Sequence, residues 1–284
     1  MSGRAAAAAK PPLLTYFSSW FCPFAHRCTI ALEHHAEALD WRWVEALGWE
    51  HREPTGEEQF DAGARADWVY HWKSPELLAA NPLGMIPTLQ EAEGRRRVVR
   101  ESLVCVEFVD EIAREAGSRA HPLLPPEDAF ERARLRVAAE RINKSVTSNY
   151  YAALVREDPD ERSAAFQGIL RGLEEFTAES EGDFFSGSEG LSLADCVLLP
   201  YAHRLYALEH YRGSAFRVPN ESGWSERYWA WLQRCEALPQ VQKTLPDRER
   251  YITHVEKYAS GRARSKVGNA VRRGKSAHDY ADDE

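Results

Sequence analysis

The run Trp20-Phe21-Cys22-Pro23-Phe24-Ala25-His26-Arg27 sets a cysteine directly ahead of a proline, which opens a segment free of Gly and Pro as far as Ala36. Proline suits the first helical position, where its missing N–H is no loss, so the run reads as a helix start with Cys22 at the N-cap. Upstream, residues 11–20 supply a short strand around Leu13–Phe17. Downstream, Trp41–Glu45 alternates like a second strand, and Met85–Leu89 and Arg97–Val99 are two more on either side of a Glu-Gly-Arg turn. Glu101–Ala116 reads as a helix. This βαβ then ββα order predicts a small mixed four-stranded sheet flanked by helices, an α/β unit over residues 12–117.

Outside that unit the patterning changes. Gly48–Val69 is charged, Gly-containing and without a period, and is expected to be a surface excursion that tolerates deletion of its centre. Residues 117–128 concentrate three prolines and mark a boundary. Helical periodicity then fills Ala129–Val155, Glu161–Ser180, Ser192–Tyr211, Ser225–Leu238 and Val241–Tyr258, an all-α second domain over residues 126–258. Residues 259–284 carry almost no large apolar side chain, and composition predicts a disordered, dispensable tail. Membrane-surface or nucleic-acid contact through its basic part is the competing reading.

The 284 residues carry 36 Lys and Arg against 44 Asp and Glu, a formal charge of −8. That balance argues against duplex nucleic acid as a partner, because such binding rests on neutralising phosphates. No stretch approaches the ~20 apolar residues of a membrane span, and the first ten residues do not read as a signal peptide. A cytoplasmic protein is the expectation. The five cysteines are odd in number and widely spaced, with no Cys-x-x-Cys and no zinc-type His pairing. Neither a disulfide scaffold nor a metal site is expected.

Cys22 is the candidate for chemistry. At a helix N-terminus a thiolate faces free backbone N–H groups and the positive end of the dipole. Its pKa is therefore expected to fall from about 8.5 into the range of about 3.5–7.5. A cysteine that merely packs is the competing reading, and spacing does not separate the two. Cys28, six residues on, is rotated away and lifted roughly 9 Å along the axis, so it is a poor resolving thiol. His26 either tunes Cys22, touches a ligand, or faces elsewhere. In Asn81-Pro82-Leu83-Gly84-Met85-Ile86-Pro87-Thr88-Leu89, a cis bond before Pro87 would turn the backbone of Ile86 toward Cys22, although spacing alone favours trans.

Taken together, the strand, Cys22-Pro23 and helix, the Asn81 to Pro87 element, and Glu101-Ser102 opening a helix resemble the glutathione transferase superfamily. Cys22 to Arg27 is most similar to its omega class, which uses Cys where many classes use Tyr or Ser. The second half agrees: Ser192-x-x-Asp195 forms a capping box within residues 190–200, and residues 184–187 and 231–239 also look omega-like. The resemblance covers about residues 12–258. It implies a thioredoxin-like N-terminal domain, a helical C-terminal domain and a homodimer. It further implies Cys22 as nucleophile, and glutathione held by Phe24, Ile86, Pro87, Glu101, Ser102 and Lys73. Ile86 would pair with the cysteinyl backbone, Glu101 and Ser102 would hold the γ-glutamyl end, and Lys73 would reach the glycyl carboxylate. Lys73 competes with a reading as a solvated surface lysine, and Glu101 with one as a dipole-complementing charge. Compared with omega members, the chain between Cys22 and Pro87 is longer, and the excess falls in 48–69.

The expected activity is glutathione-dependent thiol transfer through a mixed disulfide at Cys22, acting on a small electrophilic or disulfide acceptor such as a glutathionyl mixed disulfide or dehydroascorbate. Tyr150, Tyr151, Trp224, Tyr228 and Trp229 are candidates for the acceptor pocket, though such residues are more often core than pocket. Two readings compete. One is a glutathionyl-hydroquinone reductase, suggested by the Cys-Pro-x-Ala-His pattern and the insertion. The other is non-enzymatic use of the same fold, as in intracellular chloride channel proteins or assembly modules, which glutathione-affinity capture would separate.

Overall fold

The computed structural model describes residues 14–53, 67–187, 189–221 and 223–277. Five consecutive buried residues, Leu14–Ser18, form β1, the strand on which the N-terminal domain is built. It runs parallel to β2 (Trp41–Glu45) and antiparallel to β5 (Thr88–Glu91), which pairs in turn with β6 (Val98–Arg100); the sheet order is β2-β1-β5-β6. Helix α1 (Pro23–His34) supplies the crossover between the two parallel strands. The hydroxyl of Tyr16 on β1 donates to the Ala25 carbonyl at 2.6 Å, fixing the first turn of α1 over the sheet. This is the thioredoxin-like arrangement, with mixed sheet and helical layer.

The 48–69 segment differs from the expected excursion. Leu47–Glu50 form β3 and Val69–Lys73 form β4, an antiparallel pair, and a six-residue helix α2 (Pro75–Ala80) follows, capped by Ser74. Strands this short owe their existence to pairing and to burial of Leu47, Trp68, Val69 and Tyr70, which local periodicity does not reveal. The centre of the segment, 54–66, lies outside the described residues.

Helix α3 (Ser102–Glu115) leads through the proline-rich linker to α4 (Ala129–Ile142). The expected single helix 129–155 is interrupted by a π-helical turn, Asn143–Thr147, before α5 (Ser148–Val155). α6 (Pro159–Glu179) and α7 (Leu193–Ala202) follow, and α8 (Tyr206–Arg212) is separated from α7 by a short turn at 203–205. α9 (Trp224–Ala237), α10 (Pro239–Gln242) and α11 (Arg248–Ala259) complete the helical domain. α7 is buried along its whole length.

The expected disorder after Tyr258 does not hold for residues 259–277. Ala263–Arg264 form β7, parallel to β4, and Lys266–Arg272 form α12, packed against α5. The order comes from backbone pairing and small buried residues, Ala263, Ala270, Val271 and Ala277. The Ser265 hydroxyl accepts from the Gly268 amide at 3.0 Å as the helix cap. A count of large apolar side chains misses all of these. The acidic end, 278–284, lies outside the described residues.

At the start of α7, the Asp195 carboxylate does more than cap. It accepts from the Ser192 amide and hydroxyl at 2.8 and 2.7 Å, the Phe185 amide at 3.1 Å and the Trp231 indole at 2.7 Å. Burial pushes its pKa up, against the pull of these donors. Losing a cap alone costs about 0.5–2 kcal/mol. Asp195→Ala, which also strands buried donors, is expected to destabilise by at least about 3 kcal/mol. Urea unfolding checks this, and an unchanged midpoint would remove the role of Asp195 as the organiser of this corner.

Candidate active site

Cys22 sits at the N-cap of α1 with φ −77° and ψ 115°, and Pro23 occupies the first helical position. Of the five cysteines it alone is not fully buried. It opens onto a cleft of about 250 Å³ walled by residues of both domains, among them Phe24, Ile86, Lys73, Tyr151, His254 and Tyr258. Cys28 faces the other way, into the core beside Tyr16 and Cys105, and burial pushes its thiol pKa well up.

The expected fall in the Cys22 pKa is not what the surroundings produce. Desolvation in the cleft raises it, outweighing the downward pull of the Ala25 and Phe24 amides and of two arginines, Arg204 and Arg27. The helix end does favour the charged sulfur, through the Ala25 and Phe24 amides, but loss of solvation exceeds it. Of the two cations that favour the thiolate, Arg27 lies in the same run of sequence, whereas Arg204 comes from the helical domain and is not signalled locally.

Both arginines are fully buried. Arg27 reaches from α1 across the domain boundary. Its Nε donates to the Val197 carbonyl at 3.2 Å, Nη1 to Ser102 Oγ at 3.2 Å, and Nη2 to Asn143 Oδ1 and Thr147 Oγ1, both at 2.8 Å. Asn143 and Thr147 are the first and last residues of the π-helical turn, four apart in sequence and so on one face of it. Arg204 donates to the Pro200 carbonyl at 2.7 Å and to His26 Nδ1 at 2.9 Å, and its guanidinium lies 4.8 Å from the Tyr251 ring centre.

His26 therefore acts on Arg204 and not on a ligand. Thr244 Oγ1 donates to the Val241 carbonyl, so it accepts from His26 Nε2 at 2.7 Å, which leaves Nδ1 as acceptor for Arg204. Burial and the neighbouring Arg204 hold this imidazole well below the usual histidine range, hence neutral.

The Asn81 to Pro87 element forms the opposite wall. Asn81 Nδ2 donates to the Met85 carbonyl at 3.1 Å and to Thr88 Oγ1 at 3.0 Å, and its Oδ1 accepts from the Leu83 amide at 3.2 Å. The Ile86–Pro87 bond is cis. A second, smaller recess, lined by Pro87, Arg100, Glu101 and Ser102, adjoins the cleft and shares Phe24, Met85, Ile86 and Val267 with it. Glu101 holds φ 71° and ψ 127°, a conformation that costs an L-residue on the order of 1–3 kcal/mol. The structure thus places Cys22, Phe24, Lys73 and Ile86 on the cleft, and Pro87, Glu101 and Ser102 on the adjoining recess, which shares Phe24 and Ile86 with it.

The acceptor-pocket candidates fare differently. Tyr151 lines the cleft, its ring parallel to that of Phe24 with centroids 6.1 Å apart. Tyr150 is buried beneath it, its hydroxyl 3.1 Å from that of Tyr251. Tyr228 is fully buried against the Ala202 carbonyl, while Trp224 packs on the core and Trp229 donates to the Pro219 carbonyl. None of these four lines the cleft. In their place α11 presents Tyr251, His254 and Tyr258, and the segment after it presents Ser265, Lys266 and Val267. The spacing 251, 254, 258 is readable as one helix face, but nothing local says what that face meets. His254 and His71, the latter from β4, also line the cleft. Burial holds their pKa values at about 2 and about 3, so both are neutral there.

Among the described residues no group of three or more His, Cys, Asp or Glu could hold a metal ion, and no helix is long and apolar enough to cross a membrane.

Comparison with known proteins gives the same organisation. The family profile described as Glutathione S-transferase, N-terminal domain, matches residues 21–112, and that described as Glutathione S-transferase, C-terminal domain, matches residues 159–234. The chain is 33% identical over 192 residues to the probable glutathione S-transferase BZ2 of Zea mays, an alignment covering 63% of this chain and 78% of that protein. It is 26% identical to glutathione S-transferase omega-1 of Rattus norvegicus, covering 68% of this chain and 67% of the rat protein. Among solved structures, glutathione transferase Omega 3C from Trametes versicolor superposes with a TM-score of 0.66 at 22% identity, covering 88% of this chain and 92% of that one. A rice tau-type transferase solved in complex with glutathione gives 0.66 at 27% identity, covering 87% and 98%. Similarity is thus shared between omega and tau relatives, and on the combined weight of the two profiles, the maize relative and the fold, the chain belongs to the glutathione S-transferase family.

Proposed function

We propose that the protein is a glutathione-dependent thiol transferase of omega type, working through a mixed disulfide at Cys22. The observation that carries this reading is that Cys22 alone of the five thiols keeps access to solvent, and that it lines the cleft. A hydroxyl at this position could assist glutathione; a sulfur can bond to it.

In the first half-reaction the Cys22 sulfur attacks the glutathionyl sulfur of a mixed disulfide. The acceptor leaves as its thiol, taking the proton that Cys22 gives up. In the second, glutathione attacks the glutathionyl sulfur now bound to Cys22, releasing glutathione disulfide and returning a proton to Cys22. The two steps together convert one mixed disulfide and one glutathione into one thiol and one glutathione disulfide. Arg204 and Arg27 favour the charged sulfur at both stages. Ile86 offers backbone groups to the cysteinyl part of glutathione, Glu101 and Ser102 meet its γ-glutamyl end, Phe24 and Pro87 pack against it, and Lys73 faces its glycyl carboxylate. Dehydroascorbate is a second acceptor for the same sulfur, and a homodimer in the cytoplasm is the setting the family resemblance implies.

Steady-state assay with a small glutathionyl mixed disulfide tests this. The expected result is ping-pong kinetics with a Cys22-glutathione adduct seen by mass spectrometry. Conjugation of glutathione to an electrophile with no such adduct, and no disulfide reduction, would overturn it. Retention on immobilised glutathione distinguishes the enzyme from a non-enzymatic member of the fold.

A further inference from the structure

The strand β7 and helix α12 bring a second ammonium to the cleft wall that already carries Lys73. Lys73 ends β4, and its Nζ donates to the Leu83 carbonyl at 3.2 Å. It lies so close over Gly84 that a Cβ there would meet Nζ at 2.7 Å. Lys266 opens α12 two residues beyond β7, and the parallel pairing of Val69 with Ala263 and Tyr70 with Arg264 fixes that turn beside the same strand. Both lysines line the Cys22 cleft, and Val267, next to Lys266, lines the cleft and the adjoining recess alike.

Neither ammonium has a carboxylate partner among the described residues, and no Asp or Glu is among those lining the cleft. In a chain of formal charge −8, with surface arginines repeatedly paired to glutamates, this is a distinct local environment. Two like charges on one partly desolvated wall repel; accordingly burial, and then Lys266, hold the Lys73 pKa down. An anion placed between them offsets the repulsion and supplies the counter-charge that the described residues do not.

We propose that Lys266, from the segment after the helical domain, joins Lys73 as a two-ammonium clamp on the glycyl carboxylate of glutathione, so that this segment is part of the glutathione site. The inference rests on the reading of the cleft as a glutathione site. It makes affinity for that one carboxylate depend on a residue supplied by the far end of the fold.

Calorimetric titration with glutathione and with its glycyl monoethyl ester tests it, because the ester differs only at the carboxylate in question. The wild type is expected to bind glutathione more tightly than the ester. Lys266→Met is expected to weaken glutathione binding about tenfold while changing ester binding less than about twofold. Lys266→Arg should restore most of the loss. Equal weakening of both ligands would show a merely structural role and overturn the clamp, as would no change in either. A change confined to the KM of the acceptor would overturn it too, placing Lys266 on the acceptor instead. If Lys266→Met fails to fold by circular dichroism, Lys73→Met supplies the same comparison, and an unaltered ratio of glutathione to ester binding there overturns the clamp. Absence of glutathione binding by the wild type would overturn the glutathione reading itself and the clamp with it, an outcome distinct from every variant-specific one.

Discussion

On the proposed mechanism, Cys22→Ser is expected to eliminate thiol transfer while leaving glutathione bound. The hydroxyl cannot form the mixed disulfide, whereas the residues proposed to hold glutathione, Ile86, Glu101 and Ser102, are untouched. The expected loss is at least about a thousandfold in turnover, the scale on which removal of a group essential to the reacting bond is felt. Cys28→Ser should leave turnover near the wild-type value, because Cys28 is buried beside Cys105. Alkylation adds a pH test. Since desolvation raises the Cys22 pKa above an ordinary thiol, the rate for the free protein should keep climbing with pH beyond the range where an unperturbed thiol levels off. Arg204→Met should push that profile further up, because it removes a cation that favours the thiolate. Retention of disulfide reduction by Cys22→Ser, or a profile that levels off near neutral pH, would contradict this account.

Arg27→Met should produce the largest loss of stability of any single change near the site. The side chain has zero exposure and satisfies four acceptors on three separate segments: Ser102 at the start of α3, Asn143 and Thr147 in the π-helical turn, and Val197 in α7. It also lies 5.4 and 5.1 Å from the ring centres of Phe24 and Tyr201. Methionine keeps much of the volume and none of the donors, leaving buried acceptors unpaired across the domain boundary. A cost of about 3–5 kcal/mol follows, and a fall in Tm on the order of 10 °C by calorimetry. Arg27→Lys, which keeps the charge but not the fork of donors, should fall between. A Tm for Arg27→Met indistinguishable from wild type would remove Arg27 as the tie between domains.

Sequence revealed those parts of the site whose rules are local. Cys22-Pro23 announces a helix start within two residues, and Ser192-x-x-Asp195 announces another. The Asn81 to Pro87 run is dense enough in Pro, Gly and Asn to declare a shaped loop. The strands β3, β4 and β7 were illegible for the opposite reason: each is two to five residues long and exists because a distant partner completes its hydrogen bonds. Residues 263–272 resemble solvated chain when averaged by composition, yet Ser265 caps a helix there and small residues fill the space against β4 and α5. The pKa of Cys22 was misjudged because a helix terminus is visible in sequence, whereas the apolar walls that desolvate it arrive from other elements.

The parallel pairing of β4 with β7 also sets an order of events during synthesis. Ala263 is added about 190 positions after Lys73, which at roughly 5–20 residues per second is a wait of about 10–40 s on the ribosome. Among the described residues the thioredoxin-like sheet contains no strand from beyond Arg100, so it can assemble early. Cys22, the proposed nucleophile, then stands on a cleft that still lacks the residues supplied by the 264–267 segment. On the proposed reading, selectivity is acquired late, when β7 docks, and a nascent chain stalled before that point would carry Cys22 without the wall that holds Lys266.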